Sequence, residues 1–137
     1  IAFSPSNLAW IPVIGTVRAG QPIFVEENIQ DYIPIDSQFL NPQGPCFLLK
    51  VKGDSMNLEF NEGSLLLVEK DVYPENGDIG VVIIDGDEAT VKKVVHNGNM
   101  LTLIPMSSNP AYTPQMIDMS KTDVTFAGKV QMAMKWY

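Results

Sequence analysis

The chain has 137 residues, of which 45% are hydrophobic and 18% charged, enough for one domain with a hydrophobic core. Its formal net charge is −7, from nine basic and sixteen acidic residues, which argues against nucleic-acid binding because phosphates are held by clustered Lys and Arg. A single Cys and a single His exclude an internal disulfide and a zinc site built from such ligands.

No targeting or membrane segment is visible in the sequence. No apolar run approaches the roughly 18 residues of a transmembrane helix, and no basic stretch followed by an apolar one opens the chain. We therefore expect a soluble cytoplasmic protein. Because the chain begins at Ile1 rather than Met, we expect part of a longer protein, with residues 1–11 as linker.

The first third of the chain is mixed in character. Residues 12–17 predict a strand, and residues 18–22 an exposed turn. Residues 23–35 fit either a short helical turn or an extended segment, and the pattern does not separate the two. The proline- and glycine-containing residues 41–45 predict a loop.

From residue 46 onward the predicted elements are strands joined by tight turns. The predicted strands are residues 47–52, 65–68, 79–84, 88–95, 100–104 and 124–130. Asp85-Gly86 and Asn97-Gly98 are strong hairpin signals. No stretch of about 12 residues has a helical period. The predicted fold class is mostly β, with coiled or partly closed sheets, hairpins and little helix.

The last strand carries apolar residues at even positions. They are Phe126, Val130, Met132, Met134 and Trp136. If the alternation is regular, these side chains share one face, and an edge strand with that much apolar surface needs a partner. We therefore expect the segment from Val124 to Tyr137 to form the interface of a homodimer.

Nucleophilic chemistry is restricted by the single histidine. A serine nucleophile needs a base, and His96 lies beside the Asn97-Gly98 turn, where a histidine is usually only solvated. The remaining base for a serine is a lysine that burial keeps neutral. A Ser-Lys dyad is thus the nucleophilic arrangement that the composition allows.

Local chemistry alone does not choose the members of such a dyad. Gly53 permits a sharp turn that could place Ser55 at the end of a strand, but an ordinary capped turn explains the same residues and is favoured. Lys92 and Lys93 point to opposite faces of one predicted strand, and the alternation mildly prefers Lys93, which shares its face with Val91 and Val95. A lysine on the buried side could also extend to solvent.

Three segments in order resemble a known family. Val-Arg-Ala-Gly at residues 17–20, Gly-Asp-Ser-Met at 53–56 and Ala-Thr-Val-Lys-Lys at 89–93 are similar to the self-cleavage domain of LexA and phage CI-type repressors, which also occurs in UmuD-like polymerase accessory proteins. The spacing of 37 residues between Ser55 and Lys92 agrees with the family pattern. The resemblance covers roughly residues 11–135.

The resemblance implies a role for individual residues. Ser55 would be the nucleophile, Lys92 the general base, and Ala19-Gly20 the bond that is cut; the motif thereby selects Lys92 over Lys93. Backbone N–H groups of Asp54 and Ser55 would stabilise the oxyanion. No cofactor or metal is implied, and the acidic hairpin at residues 85–88 is expected to be a solvated turn rather than a cation site.

The resemblance also implies an organisation and partners. Residues 12–137 would be the self-cleavage and dimerisation domain, and a helix-turn-helix domain that contacts operator DNA would precede Ile1. The inducer would be a RecA–single-stranded-DNA filament formed on DNA damage. The alternatives are a dimerisation module that does not cleave and is controlled by an antirepressor protein, or an UmuD-like accessory protein. A signal-peptidase-like enzyme acting in trans is disfavoured because the sequence shows no membrane anchor.

Overall fold

In a computed structural model, which describes residues 7–17, 20, 22–40 and 44–135, the chain forms one mixed sheet of nine strands. The strands are β1 (Leu8–Ile14), β2 (Ile29–Asp36), β3 (Cys46–Lys50), β4 (Leu65–Lys70), β5 (Ile79–Ile84), β6 (Thr90–Asn97), β7 (Met100–Ile104), β8 (Gln115–Asp118) and β9 (Val124–Met134). In the described part of the chain, the helical elements are two single 3-10 turns, Glu26–Asn28 and Ser37–Phe39. The prediction of a mostly β fold with little helix is confirmed.

The strands follow the order β2-β1-β3-β4-β9-β5-β6-β7-β8 across the sheet. β1 and β3 are parallel, and every other neighbouring pair is antiparallel. The two predicted hairpins are confirmed. Gly98, with φ of 60°, lies in the two-residue turn between Asn97 and Met100, which pair across β6 and β7. Asp85 and Gly86, with φ of 51° and 76°, form a turn that is closed by Asp87 N–H on the Ile84 carbonyl oxygen, but the β5–β6 pairing begins only at Val82 opposite Thr90, so this connection is longer.

The N-terminal third departs from the sequence prediction. β1 begins at Leu8, so residues 8–11, which we expected in the linker, belong to the sheet. They pair with β2 from Leu8 opposite Asp36 onward, and Ile11 is buried. The ambiguous segment contains both of its predicted forms, a 3-10 turn followed directly by the extended β2. Pairing with a distant strand therefore decided a segment whose local pattern was mixed.

Buried side chains form three clusters along the sheet. Cluster 1 contains Ile14, Val17, Phe47, Leu49, Met56, Phe60, Leu66, Val68, Val81, Ile83 and Ala127. Cluster 2 contains Ile11, Val13, Ile35, Cys46, Leu48, Leu65 and Leu67. Cluster 3 contains Val82, Val94, Leu101, Leu103 and Ile117. Adjacent residues of β3 and β4 alternate between clusters 1 and 2, as expected for strands buried on both faces.

The long last strand does not present one apolar face. Its pairing with β4 shifts between Val130 and Met132, so Gln131 is an extra residue in a β-bulge. Val130 consequently packs against cluster 1, whereas Met132 and Met134 pack against cluster 2. The prediction that these even-numbered side chains share a face is wrong because this bulge, and a second extra residue at Ala127 where β9 pairs with β5, change the alternation. Phe126 packs against cluster 3, and Trp136 lies outside the described residues.

β9 also lies inside the sheet, between β4 and β5, rather than at its edge. Its first half pairs with β5 as far as Lys129, and its second half, from Gly128, pairs with β4. A Cβ on Gly128 would overlap the backbone carbonyl oxygen of Glu69 on β4 and crowd the Val68 side chain. The close approach of these two strands therefore requires glycine at this position.

We predict that Gly128→Ala lowers the free energy of unfolding by about 1–3 kcal/mol, the usual cost of forcing extra atoms into a packed site. Chemical denaturation followed by circular dichroism measures the change. Gly44→Ala is the matched control, because a Cβ at Gly44 meets nothing within 4 Å. Equal stability of the Gly128 and Gly44 variants would contradict the close approach of β4 and β9.

Candidate active site

A cleft at the start of β6 brings together three distant parts of the chain. Residues 15–17 after β1, the turn between β3 and β4, and residues 88–91 at the start of β6 line it. Ser55 lies in this cleft beside apolar side chains of cluster 1, including Met56 and Phe60. The cleft therefore has a polar nucleophile candidate against an apolar wall, the usual character of a binding pocket.

Ser55 is placed by a tight turn that follows β3. Gly53 has φ of +74°, a conformation that glycine adopts without strain, and redirects the chain before the serine. On the other side Met56 and Phe60 are 3% and 9% exposed and fix the turn to the core. Phe60 N–H donates to Met56 O at 2.8 Å. The Ser55 hydroxyl is thus held at a rigid junction between a buried strand and a buried pair of side chains.

Lys92 of β6 reaches the serine. Its Nζ lies 3.0 Å from Ser55 Oγ, 2.7 Å from Thr90 Oγ1 and 3.1 Å from the Val91 carbonyl oxygen. Burial lowers the pKa of Lys92 below its usual value of 10.5, because desolvation disfavours the charged ammonium. At any given alkaline pH a larger fraction of this amine is neutral than in an exposed lysine. A neutral amine at this distance can accept the proton of the Ser55 hydroxyl.

The structure brings Lys92, not Lys93, to Ser55, contrary to the mild preference of the alternation pattern. Val94, on the Lys92 face of β6, is completely buried, whereas Val91 and Val95 on the Lys93 face are only partly buried. Because Lys93 shares its face of the strand with Val91 and Val95, the alternation pattern favoured that face as the buried one. Burial of this strand is set by its neighbours in the sheet, which the local sequence does not contain.

Thr90 is a site residue that the sequence reasoning did not single out. It lies two positions before Lys92, on the same face of β6, so that its hydroxyl can contact the lysine amine. The sequence feature that could have identified Thr90 is its position two residues before a candidate lysine, which places both side chains on the same face of a strand. Together with the Val91 carbonyl oxygen, the Thr90 hydroxyl restricts the amine to one position.

The backbone N–H groups of Asp54 and Ser55 have no acceptor among the described residues. The Asp54 side chain accepts a hydrogen bond from the hydroxyl of Tyr112 at 2.5 Å. Two adjacent free N–H groups at a nucleophile are the type of donor that stabilises an oxyanion.

The segment that contains the candidate scissile bond is described only in part. Ala19 lies outside the described residues. Gly20 has φ of +76° and lines a shallow depression with Lys70 and Phe126, whereas Ser55 lines the cleft; Val17 borders both. Val17 is buried, and its carbonyl oxygen accepts a hydrogen bond from Ala89 N–H at 2.9 Å. The chain just before the bond therefore already runs beside the start of β6.

The other candidate residues, His96 and the acidic hairpin, make contacts with neighbouring side chains and backbone groups. His96 stacks on Tyr73 with ring centroids 5.0 Å apart, and its Nε2 lies 3.1 Å from the Pro74 carbonyl oxygen. Glu88 of the acidic hairpin pairs with Lys52 at 3.3 Å. Over the described ranges, no group of three or more acidic, His or Cys side chains could hold a metal ion, and no helix is long and apolar enough to cross a membrane.

A serine hydroxyl paired with a partly buried lysine, on a β-sheet domain, has the arrangement of a serine-type peptidase that works without histidine. The chain belongs to the Peptidase S24-like family, which matches residues 12–131. Membership of this family makes the chain a domain of the serine-peptidase type.

Several curated proteins named LexA repressor are similar to this chain. The protein from Erwinia tasmaniensis is 40% identical over 119 residues, which cover 86% of this chain and 57% of that protein. The protein from Leptospira interrogans is 40% identical over 111 residues, 80% of this chain and 53% of that protein. A third, from Clostridium kluyveri, is 41% identical over 100 residues, 72% of this chain and 49% of that protein. The chain spans about half the length of these relatives and is a LexA-like domain.

Proposed function

We propose that this chain is the regulatory domain of a LexA/CI-like transcriptional repressor, and that it cuts its own Ala19-Gly20 bond with a Ser55-Lys92 dyad. The observation that carries the proposal is the distance of 3.0 Å between Lys92 Nζ and Ser55 Oγ, with burial lowering the pKa of that lysine. In this proposal residues 12–137 are the self-cleavage and dimerisation domain, which acts in the cytoplasm.

The first step is acylation of the serine. Neutral Lys92 takes the proton of the Ser55 hydroxyl while Oγ attacks the carbonyl carbon of Ala19. The negative charge that develops on the Ala19 oxygen is held by the N–H groups of Asp54 and Ser55. The C–N bond to Gly20 then breaks, and protonated Lys92 gives its proton to the departing amine. The products of this step are an ester on Ser55 and a free N-terminus at Gly20.

Hydrolysis of the ester completes the cycle. Lys92, neutral again, takes a proton from water as the water oxygen attacks the ester carbon, and the proton passes to Ser55 Oγ as the ester bond breaks. Thr90 and the Val91 carbonyl oxygen hold the lysine amine through both steps. No cofactor or metal is needed in this scheme, since Lys92 accepts and returns the proton in each step.

The proposal makes movement of the cleavage segment the controlling event. Val17 is anchored beside Ala89, so a rearrangement of the few residues after it would bring the bond to Ser55. Because bond and dyad belong to one chain, docking supplies a high effective concentration. Docking would also remove more water from Lys92 and further favour its neutral form.

In a repressor, this cut would separate the DNA-reading domain from the dimerising domain. Two DNA-reading domains held in one dimer bind operator DNA with an effective concentration that is lost on cleavage. We propose that a RecA–single-stranded-DNA filament promotes docking of the cleavage segment after DNA damage. The rival is a dimerisation module controlled by an antirepressor protein, in which the dyad would be inactive.

The proposed homodimer uses the second half of β9. Beyond Lys129 this strand pairs with β4 alone among the described residues, so one backbone edge of residues 130–134 is open. An open edge in the middle of a sheet is satisfied when the same edge of a second copy pairs with it. Ala133 on this segment is exposed, which leaves room for the second chain.

We predict that the purified chain cuts itself to give fragments that end at Ala19 and begin at Gly20. The rate should rise with pH and level off above the lowered pKa of Lys92, because only the neutral amine is a base. It should also be independent of protein concentration. Intact mass spectrometry over hours, from pH about 7 to 10, measures both properties.

Paired lysine variants supply the control for this prediction. Lys92→Ala should abolish cleavage, whereas Lys93→Ala, which removes the neighbouring charge on the same strand, should leave most of the rate. An uncut wild-type chain would favour the non-cleaving rival. Loss of cleavage in the Lys93 variant alone would show that the dyad is assigned to the wrong lysine.

We predict that Ala133→Asp raises the dimer dissociation constant, because two copies of the new charge would meet across the paired edge. Sedimentation equilibrium at tens of micromolar measures the association. Thr125→Asp is the matched control, since Thr125 is exposed on the half of β9 that β5 already covers. A wild-type chain that remains monomeric, or equal effects of the two variants, would contradict this interface.

A further inference from the structure

The turn that carries Ser55 is held on its outer side by the loop between β7 and β8. Leu58 N–H donates to the Met106 carbonyl oxygen at 2.8 Å. Asn57 and Ser108 exchange two hydrogen bonds, from Ser108 N–H to Asn57 Oδ1 at 2.9 Å and from Asn57 Nδ2 to Ser108 Oγ at 3.0 Å. These three bonds restrain the part of the turn that follows the nucleophile.

The same loop, residues 106–112, which we call the strap, also reaches the residue before the nucleophile. The Tyr112 hydroxyl donates to Asp54 Oδ1 at 2.5 Å. This bond raises the pKa of Tyr112 above its usual value of 10.0, with the carboxylate charge as the second cause. Asn109 forms the turn that presents Tyr112, since its side chain and carbonyl oxygen accept from Ala111 N–H and Tyr112 N–H.

The bond to Asp54 is not redundant with the other three. Gly53, directly before Asp54, is at φ +74° and lacks the side chain that would restrict its rotation. Within the turn, Asn57 N–H donates to the Asp54 carbonyl oxygen at 3.2 Å, and the core packing and the other strap contacts lie after this peptide, at Met56 to Phe60. The charge-assisted bond from Tyr112 adds a restraint at the Asp54 side chain, from outside the turn.

We propose that Tyr112 is a positioning residue for self-cleavage: by holding the Asp54 carboxylate, its hydroxyl fixes the peptide that leads into Ser55 and thereby aims the backbone N–H groups at the oxyanion. Tyr112 acts through Asp54 and does not touch the reacting atoms. The inference rests on the proposed function, because it concerns the same nucleophile.

The test compares cleavage rates and their pH profiles. Tyr112→Phe, which removes only the hydroxyl, should cleave about three- to tenfold more slowly, the range that the net worth of one hydrogen bond allows. The cleavage rate of this variant should rise with pH around the same midpoint as that of the wild type, since Lys92 has no hydrogen bond to Tyr112. At the highest pH the wild-type rate should fall as Tyr112 ionises and stops donating, and this fall should be absent from the variant.

Coupling between the two residues distinguishes positioning from a general loss of stability. Asp54→Ala should slow cleavage, Asp54→Asn should slow it less because the amide oxygen still accepts, and Asp54→Ala with Tyr112→Phe should be no slower than Asp54→Ala alone. Tyr73→Phe, which removes a hydroxyl that contacts His96, is the matched control. Wild-type rates in Tyr112→Phe at every pH, or fully additive effects in the double variant, would overturn the proposal.

A second readout separates failure of this inference from failure of the proposed function. A fluorophosphonate modifies Ser55 without the cleavage segment: Oγ bonds to phosphorus, fluoride leaves, and Lys92 takes the proton. Intact mass spectrometry should show slower modification of Tyr112→Phe. If the wild-type chain does not cut itself but the variant is modified more slowly, the positioning role stands and self-cleavage falls. Equal modification rates would overturn the positioning role.

Discussion

Partial removal of the Lys92 amine from water is the interaction on which the proposed chemistry depends. An ammonium group cannot accept a proton, and an exposed lysine is almost wholly ammonium near neutral pH. The sheet keeps this amine partly buried, which lowers its pKa, and places Ser55, Thr90 and the Val91 carbonyl oxygen within hydrogen-bond distance of it. Val94, two positions further along the same face of β6, is completely buried, and Ser55 lies in a cleft with apolar side chains.

The rest of the fold holds the two residues of that contact, Lys92 and Ser55, in place. One side is β6, where the lysine is held by pairing with β5 and β7. The other is the turn after β3, which is fixed inward by Met56 and Phe60 and outward by the strap. Neither side belongs to the cleavage segment, so in the proposed mechanism the contact between Lys92 and Ser55 does not depend on that segment. Control would then act on docking alone, without rebuilding the site.

The strands that carry strong local signals could be predicted from the sequence. Residues 65–68 and 79–84 are continuous branched apolar runs, and Asp85-Gly86 and Asn97-Gly98 mark the turns from β5 to β6 and from β6 to β7, so β4 to β7 were predicted. The start of β1 was not, because its residues 8–11 become a strand through pairing with β2, a long-range contact. The prediction of a single apolar face on β9 was wrong because two extra residues, Ala127 opposite β5 and Gln131 opposite β4, change the alternation and leave no local signal.

The candidate site was also predicted from the sequence only in part. The distance between Lys92 and Ser55 agrees with the motif resemblance, whereas periodicity preferred Lys93, since apolar neighbours in sequence do not reveal which face a sheet buries. The contacts of the strap with the turn after β3 could not be predicted from local sequence patterns. Tyr112 and Asp54 are 58 positions apart and meet only because β7 and the β7–β8 loop return to the turn after β3.

The most direct test of the dyad is to titrate Lys92 itself and to compare the result with the pH dependence of cleavage. Carbon-13 NMR of the lysine Cε, with the Lys92 signal assigned by its absence from Lys92→Met, gives the midpoint in a Ser55→Ala chain that cannot react. Since burial is the cause of the shift, this midpoint should lie below 10.5 and should coincide with the midpoint of the rising limb of the wild-type cleavage rate. A Lys92 midpoint at or above 10.5, or a cleavage profile that rises at a different pH, would contradict Lys92 as the base that activates Ser55.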